Sequence, residues 1–291
     1  MRWQVLVGPR AWNPSLWRSV EQAFVSHDLA FDLHRTVTAD DVQHAVTCAR
    51  GDAHRHFVAM GGDGAMNIVL NAVLAEPWDV PPVLGALPAG TGSDFIRMFA
   101  IPQNTSAAVA HLVGERVYRS DVGLLEGSWG ARFFLNVAQL GIGGAAVKRS
   151  EHLRFLGPAR YQAGFWSALP TFPPRLISVR AAEKTVETRA LMVVIANGQF
   201  FGRGYNIAPK ATVTDGLADV QIFSVERRSV PAVFTQVRSG NHLRRPDVRR
   251  LQATTVHISA ERPTPVEADG EYLGTGSFVA SILPGLIDFK M

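Results

Sequence analysis

His56-Phe57-Val58-Ala59-Met60 runs directly into Gly61-Gly62-Asp63-Gly64, and this step organises the first third of the chain. The apolar run is short and is ended by glycine, so it predicts a buried strand. The residues after the turn predict a helix over 67–75, starting near Met66 and stopped by Pro77. Glycines at such a junction let the backbone turn tightly and approach a ligand without side-chain clash. The following helix offers N–H groups and the positive end of its dipole to a phosphate. A plain glycine-rich strand-to-helix turn satisfies the same four residues. The motif lacks the Gly-Lys-Ser/Thr of the Walker loop and the Gly-x-Gly-x-x-Gly of dinucleotide folds.

The pattern repeats downstream. A strand predicted over 83–87 leads through Pro88-Ala89 into Gly90-Thr91-Gly92-Ser93-Asp94-Phe95-Ile96-Arg97. Consecutive parallel strands place both glycine loops at the carboxyl edge of the sheet, where open α/β sheets bind ligands. Thr91 and Ser93 offer hydroxyls. Asp94 reads equally as a helix N-cap or a polar anchor. Arg97, one turn later, suits a phosphate or a neighbouring carboxylate. Upstream, 4–7 and 31–37 predict strands, and 15–26 and 38–50 predict helices. Thr38 can cap the second helix, with Asp40 and Asp41 in its first turn. Strand and helix alternate, so the fold class is α/β with a parallel sheet covered on both faces.

Beyond Asp121 the rhythm changes. Strands are predicted over 132–137, 176–181, 190–196, 218–223 and 254–259, and the apolar run 278–289 reads as another. Hairpin signals stand at Glu183-Lys184, Asp215-Gly216 and Asp269-Gly270. This is the rhythm of an antiparallel sandwich or barrel. Two regions interrupt it, the aromatic and proline-rich 151–175 and the basic, helix-like 229–240. A domain boundary near Asp121 follows, with a cleft expected at the junction.

Composition narrows the function classes. The chain has 291 residues, enough for one large or two medium domains. Hydrophobic residues make up 47% and charged residues 19%, which excludes global disorder. A single cysteine, Cys48, excludes a disulfide framework and a cysteine-rich zinc site. The first residues do not read as a signal peptide, and no run approaches the ~20 apolar residues of a spanning helix. The expectation is a soluble or peripherally attached protein. Arginine dominates the basic residues, 25 against 4 lysines. Seven of the arginines fall in 227–250 beside one acid, Asp247. Such a segment favours an anionic partner such as a membrane surface or nucleotide. No interleaved stacking aromatics accompany it, so nucleic acid is not expected. The aromatics Phe155, Tyr161, Phe165, Trp166 and Phe172 suit an acyl pocket, a membrane-touching lip or ordinary core. His54 and His56 read as surface histidines.

Taken in order, these blocks resemble the catalytic domain of the diacylglycerol kinase family, which includes the bacterial soluble lipid kinases and the sphingosine and ceramide kinases. The family reads Gly-Gly-Asp-Gly-Thr, then Gly-Thr-x-Asn-Asp-x-x-Arg. Asn136-Val137 with Gly141-Ile142-Gly143 is similar to a later strand and turn. Residues 201–211 with Asp215-Gly216, and then Asp269-Gly270-Glu271, resemble its remaining blocks. The resemblance implies a Rossmann-like ATP-binding domain over 1–121, related to that of NAD kinases. A β-sandwich lipid-substrate domain follows over 122–280, and a last strand, 281–291, returns to the first domain. ATP and Mg²⁺ are the implied cofactors, bound between the domains.

Carried over by motif, Gly61, Gly62, Asp63 and Gly64 surround the nucleotide phosphates, with Asp63 facing nucleotide or metal-bound water. Gly90 and Thr91 lie beside the phosphates. Asp94, Arg97 and Asp121 resemble a polar network near the active site, and Asp215 an acid associated with magnesium. Glu271 is the implied general base, taking the proton of a lipid hydroxyl, with diacylglycerol the leading acceptor. A cytoplasmic enzyme, a peripheral membrane contact and a homodimer are also implied. Ala65 replaces the family Thr, Ser93 the family Asn, and Gly8-Pro9-Arg10-Ala11-Trp12 the usual Asn-Pro-x-x-Gly turn. Asn13-Pro14-Ser15 is either that turn displaced or a helix cap. Asp63, Asp94, Asp215 and Glu271 remain, so an active enzyme is expected. A kinase of a soluble acceptor such as NAD, or a degenerate nucleotide- or lipid-binding protein, are the alternatives.

Overall fold

The computed structural model describes residues 1–89 and 93–291. The chain divides into two units, Met1–Asp121 with Gly285–Met291, and Val122–Pro284.

The first unit alternates as its sequence pattern predicts. Its elements are β1 (Arg2–Val7), α1 (Pro14–Ser26), β2 (Ala30–Arg35), α2 (Ala39–Gly51), β3 (His56–Gly61), α3 (Asp63–Val73) and β4 (Val83–Pro88), then the short helices α4 (Asp94–Arg97) and α5 (Thr105–Ala108). The strands lie in the order β2-β1-β3-β4 and every pair is parallel. Both faces are covered, so Phe57, Val58, Ala59 and Met60 are all buried. Asn13 caps α1, accepting the N–H groups of Ser15 and Leu16, with Pro14 at the first helical position. That settles Asn13-Pro14-Ser15 as a cap. The helix buries Trp17, Val20 and Phe24, spaced three and four apart. Each such side chain contributes about 1.5–3 kcal/mol on burial. Thr38 and Asp41 close a reciprocal capping box on α2. Helix α3 begins at Asp63 rather than near Met66, because extended Gly62 caps it and its carbonyl already accepts the Met66 N–H at 3.1 Å.

The chain then enters the second unit along β5 (Val117–Gly127). There follow β6 (Gly130–Phe134), β7 (Val137–Gly141), α6 (Ile142–Ser150), a 3-10 segment (Glu151–Ala159) and α7 (Arg160–Ala168). Next come β8 (Arg175–Ala181), β9 (Lys184–Ala190), β10 (Met192–Ala196), β11 (Phe200–Phe201), β12 (Tyr205–Asn206), β13 (Ala218–Phe223) and α8 (Val230–Arg238). The unit closes with β14 (Val248–Ala253), β15 (Thr255–Ala260), β16 (Pro265–Ala268), β17 (Glu271–Thr275) and the start of β18 (Phe278–Lys290). One antiparallel sheet runs β14-β13-β10-β7-β16-β17, and another joins β9, β8, β15 and the start of β18. Leu140, Val193, Ile195 and Val220 of the first share one core with Ile177, Val179, Val256 and Ile258 of the second. The unit is therefore a β-sandwich, not a barrel. Met192, Val194 and Ala196, on the other face of β10, join a second cluster with residues of α6, α7 and α8. Burial on both faces explains the unbroken apolar run of β10.

Further features differ from the sequence pattern. The strand expected over 132–137 is broken into β6 and β7, because the Asp269 carboxylate takes the N–H groups of Leu135, Asn136 and Val137. The turn placed at Glu183-Lys184 sits one residue earlier, since Ala181 pairs with Lys184 across Ala182-Glu183. Asp215-Gly216 makes no hairpin and leads into β13, whose partners are β10 and β14. The return to the first unit begins at Gly285, not at 281. Ser281 still pairs with Thr255, and the Ile282 N–H bonds the Thr254 carbonyl at 2.8 Å. Past Gly285 the same strand pairs in parallel with β4, Asp288 opposite Val83.

Candidate active site

Three loops of the first unit leave one edge of its sheet. Val7 is level with Met60, and Gly61 with Pro88, so β1, β3 and β4 end together. The Ala89 N–H bonds the Gly61 carbonyl at 3.1 Å, and the turn after β1 closes on the Gly8 carbonyl. Gly61 is required by packing, since a Cβ there would lie 2.6 Å from the Cβ of Ala65. Gly64 is not: among the described residues a Cβ would meet nothing within 4 Å. The N–H groups of α3's first turn lack intrahelical acceptors and can serve a ligand.

Asp63 clamps the two loops together. Its carboxylate accepts the N–H of Asp94 at 2.8 Å and of Phe95 at 3.2 Å. This fastens the start of α4 to the first glycine turn and places negative charge at that helix's positive end. Asp94 is not the N-cap, because Ser93 holds that position. Asp94 is buried, and its carboxylate lies 3.3 Å from Nε of half-exposed Arg97. Asp121 is also buried and accepts the Gly285 N–H at 2.8 Å, fixing the returning segment. The sequence reading of Gly90 and Thr91 lies outside the described residues. Thr105, which no motif singled out, is buried and donates its hydroxyl to the Pro88 carbonyl at 2.5 Å, pinning the end of β4. His56 is half-buried rather than superficial. Its ring stands edge-on to Trp3 at 5.3 Å, and burial pushes its pKa down to about 4.

The second unit supplies another cluster. Asp269 and Gly270 form the two-residue loop between β16 and β17, with φ of 47° and 84°. Both positive values match a type I′ turn. The Asp269 carboxylate accepts the Leu135, Asn136 and Val137 N–H groups at 2.7, 2.9 and 3.1 Å. Glu271 opens β17, is partly exposed, and is ion-paired with Arg132 of β6. Neither Arg132 nor the buried Glu267 was singled out by the sequence. Glu267 accepts the Gly270 N–H at 2.9 Å, and burial pushes its carboxyl up to about 8. Asp215 sits on an exposed turn and accepts the Leu217 N–H at 3.0 Å. No three His, Cys, Asp or Glu side chains converge to hold a metal among the described residues. Magnesium carried on phosphates needs only one or two protein carboxylates and keeps several waters, so it asks for no such cluster. A concavity of about 550 Å³ lies over Ser178, Arg180, Thr185 and His257 and contains none of these residues. Within the basic segment, Arg228, Arg245 and Arg250 are ion-paired with Glu226, Asp247 and Asp219.

Comparison with known proteins agrees with this layout. Residues 4–125 match the diacylglycerol kinase catalytic domain, and residues 136–290 match the YegS C-terminal NAD kinase beta sandwich-like domain. A Yersinia enterocolitica protein named "Probable lipid kinase YegS-like" is 28% identical, over 99% of this chain and 95% of its own length. A Bacillus subtilis diacylglycerol kinase is 28% identical, over 89% of this chain and 86% of its own. A solved structure from Bacillus anthracis str. Sterne shares the fold, with a TM-score of 0.82 at 20% identity over 99% of this chain and 94% of that one. No helix among the described residues is long and apolar enough to cross a membrane.

Proposed function

Because the chain belongs to the diacylglycerol kinase and YegS lipid kinase family, we propose that it transfers the γ-phosphate of ATP to a lipid hydroxyl, with diacylglycerol as acceptor. The observation that carries this reading is the Asp63 clamp. It holds the start of α4 against a glycine turn whose second helical position meets no other described residue. Phosphoryl transfer needs positioning and charge neutralisation more than covalent chemistry, and a fixed cradle of N–H groups supplies both. Gly61, Gly62 and Gly64 admit the phosphates, and Asp63 keeps the cradle in shape. Magnesium, when bound with ATP, neutralises phosphate charge. Glu271 accepts the proton of the attacking hydroxyl, and its bond to Arg132 orients the carboxylate beforehand. Asp94 with Arg97, and Asp121 with Gly285, hold the first unit's loops and returning strand around the nucleotide.

The test is transfer of radiolabelled γ-phosphate from ATP to a total lipid extract with magnesium, wild type beside Glu271→Gln. A labelled lipid comigrating with phosphatidic acid is expected. Loss of a general base lowers kcat by about 10²–10⁴-fold, with the KM for ATP little changed. Full activity in the variant removes Glu271 from the mechanism. ATP binding without any labelled lipid moves the reading to a soluble acceptor or a nucleotide-binding protein.

A further inference from the structure

We propose that the segment Glu151–Ala159 and the outer side of α7 form a docking surface for an anionic lipid bilayer, with Phe155 inserting into it. This deepens the lipid kinase reading and rests on it for its purpose. Large apolar side chains stand in solvent here: Phe155 is 81% exposed, Trp166 39%, Leu156 39% and Tyr161 37%. Aromatic rings with one wet end suit the boundary between headgroups and acyl chains.

Charge identifies the occupant. The segment and the start of α7 carry Arg154 and Arg160 against one acid, Glu151 at its start, and no Asp or Glu follows up to Ala182. More arginine is brought alongside by folding. Trp166 stacks edge-on against Phe234 of α8 at 5.2 Å, and Arg227 donates to the Pro170 carbonyl at 3.1 Å. An aromatic face on which Arg154, Arg160 and Arg227 outnumber its nearby acids, Glu151 and Glu226, complements an anionic surface, and attraction to such a surface is sensitive to salt.

Position gives the surface its use. Arg160 bonds the Tyr161 hydroxyl at 2.6 Å, and that hydroxyl lies 4.0 Å from where a Cβ on Gly270 would stand. Gly270 belongs to the hairpin that presents Glu271. A bilayer touching this face thus lies beside the hairpin of the proposed base, so a lipid alcohol has a short path from headgroup level.

The experiment is cosedimentation of the full chain with phosphatidylcholine vesicles, with and without added phosphatidylglycerol, at low and raised salt. Phe155→Ser and Arg154→Glu are compared with wild type, each checked by circular dichroism. Phosphate transfer to a water-soluble short-chain diacylglycerol is assayed in parallel. Wild type is expected to pellet only with the phosphatidylglycerol vesicles and to be released by salt. Each variant is expected to bind them about tenfold more weakly, with short-chain transfer unchanged. Wild-type binding by both variants overturns the proposal, as does failure of wild type to bind any vesicle. Concentration-dependent self-association lost in Phe155→Ser, without vesicle binding, assigns the face to a second copy and overturns it too. Loss of long-chain transfer with full vesicle binding makes Phe155 part of an acyl pocket and likewise overturns it. Vesicle binding that depends on Phe155 and Arg154, without kinase activity on any lipid, supports the docking surface and refutes the kinase reading separately.

Discussion

Gly61 and Gly64 stand in one turn and are glycine for opposite reasons. A Cβ at 61 would press within 2.6 Å of Ala65, whereas among the described residues a Cβ at 64 would meet nothing within 4 Å. Gly61→Ala is therefore expected to cost about 1–3 kcal/mol, because the first turn of α3 must shift to admit it. Gly64→Ala lies inside that helix and is expected to stabilise it by about 0.5–1 kcal/mol. If phosphates approach the backbone there, the same methyl weakens ATP binding. Thermal melts paired with ATP titration separate the two effects. A more stable Gly64→Ala protein with wild-type ATP affinity would place the phosphates elsewhere. The glycine turn was legible in four consecutive residues, because glycine's freedom is a local property. The clamp made by Asp63 was not, since its partners Asp94 and Phe95 stand 31 and 32 residues away and bond through backbone N–H groups that any residue carries.

At the scale of elements, the β16–β17 hairpin shows how far local signals reach. Asp-Gly announces a two-residue turn, and φ of 47° and 84° agree with it. Nothing local announces that the same aspartate breaks a strand more than 130 residues earlier by taking three of its N–H groups. The predicted strand over 132–137 failed for that reason, and Arg132 escaped notice because its partner Glu271 is 139 residues away. Asp269→Asn isolates the long-range part. Asparagine tolerates the left-handed backbone, so the turn is kept, but one acceptor oxygen becomes a donor facing N–H groups. A loss of about 1–3 kcal/mol in urea denaturation is expected, since buried donors are left unsatisfied. An unchanged unfolding midpoint would show that the hairpin holds without those bonds.

Across the whole molecule, the alternating first unit and the sandwich were legible because periodicity reports burial. The run 278–289 likewise read as one strand. What its periodicity could not show is the change of partner at Gly285, from antiparallel pairing with β15 to parallel pairing with β4. Burial also sets how the fold responds to pH, through histidines and a glutamate that act in opposite senses. His56 is pushed by burial to about 4 from an ordinary 6.5. Between those values the unfolded chain holds a proton that the folded one does not, so stability rises with pH. His34 and His242, also lowered by burial, act in the same sense. Glu267 is pushed by burial to about 8 from an ordinary 4.5. Between those values the folded chain holds the extra proton, so stability falls as pH rises, by at most about 1.4 kcal/mol per unit for one proton. From 4.5 to 6.5 the His56 and Glu267 slopes oppose each other, and above 6.5 Glu267 acts alone until it ionises near 8. The melting temperature is therefore expected to peak near pH 6.5 and decline toward pH 8. Glu267→Gln can still accept the Gly270 N–H but cannot ionise, so it should remove that decline while leaving the acid side intact. A wild-type melting temperature that stays flat from pH 6.5 to 8, or a decline that survives in Glu267→Gln, would show that this carboxyl is not the group that titrates.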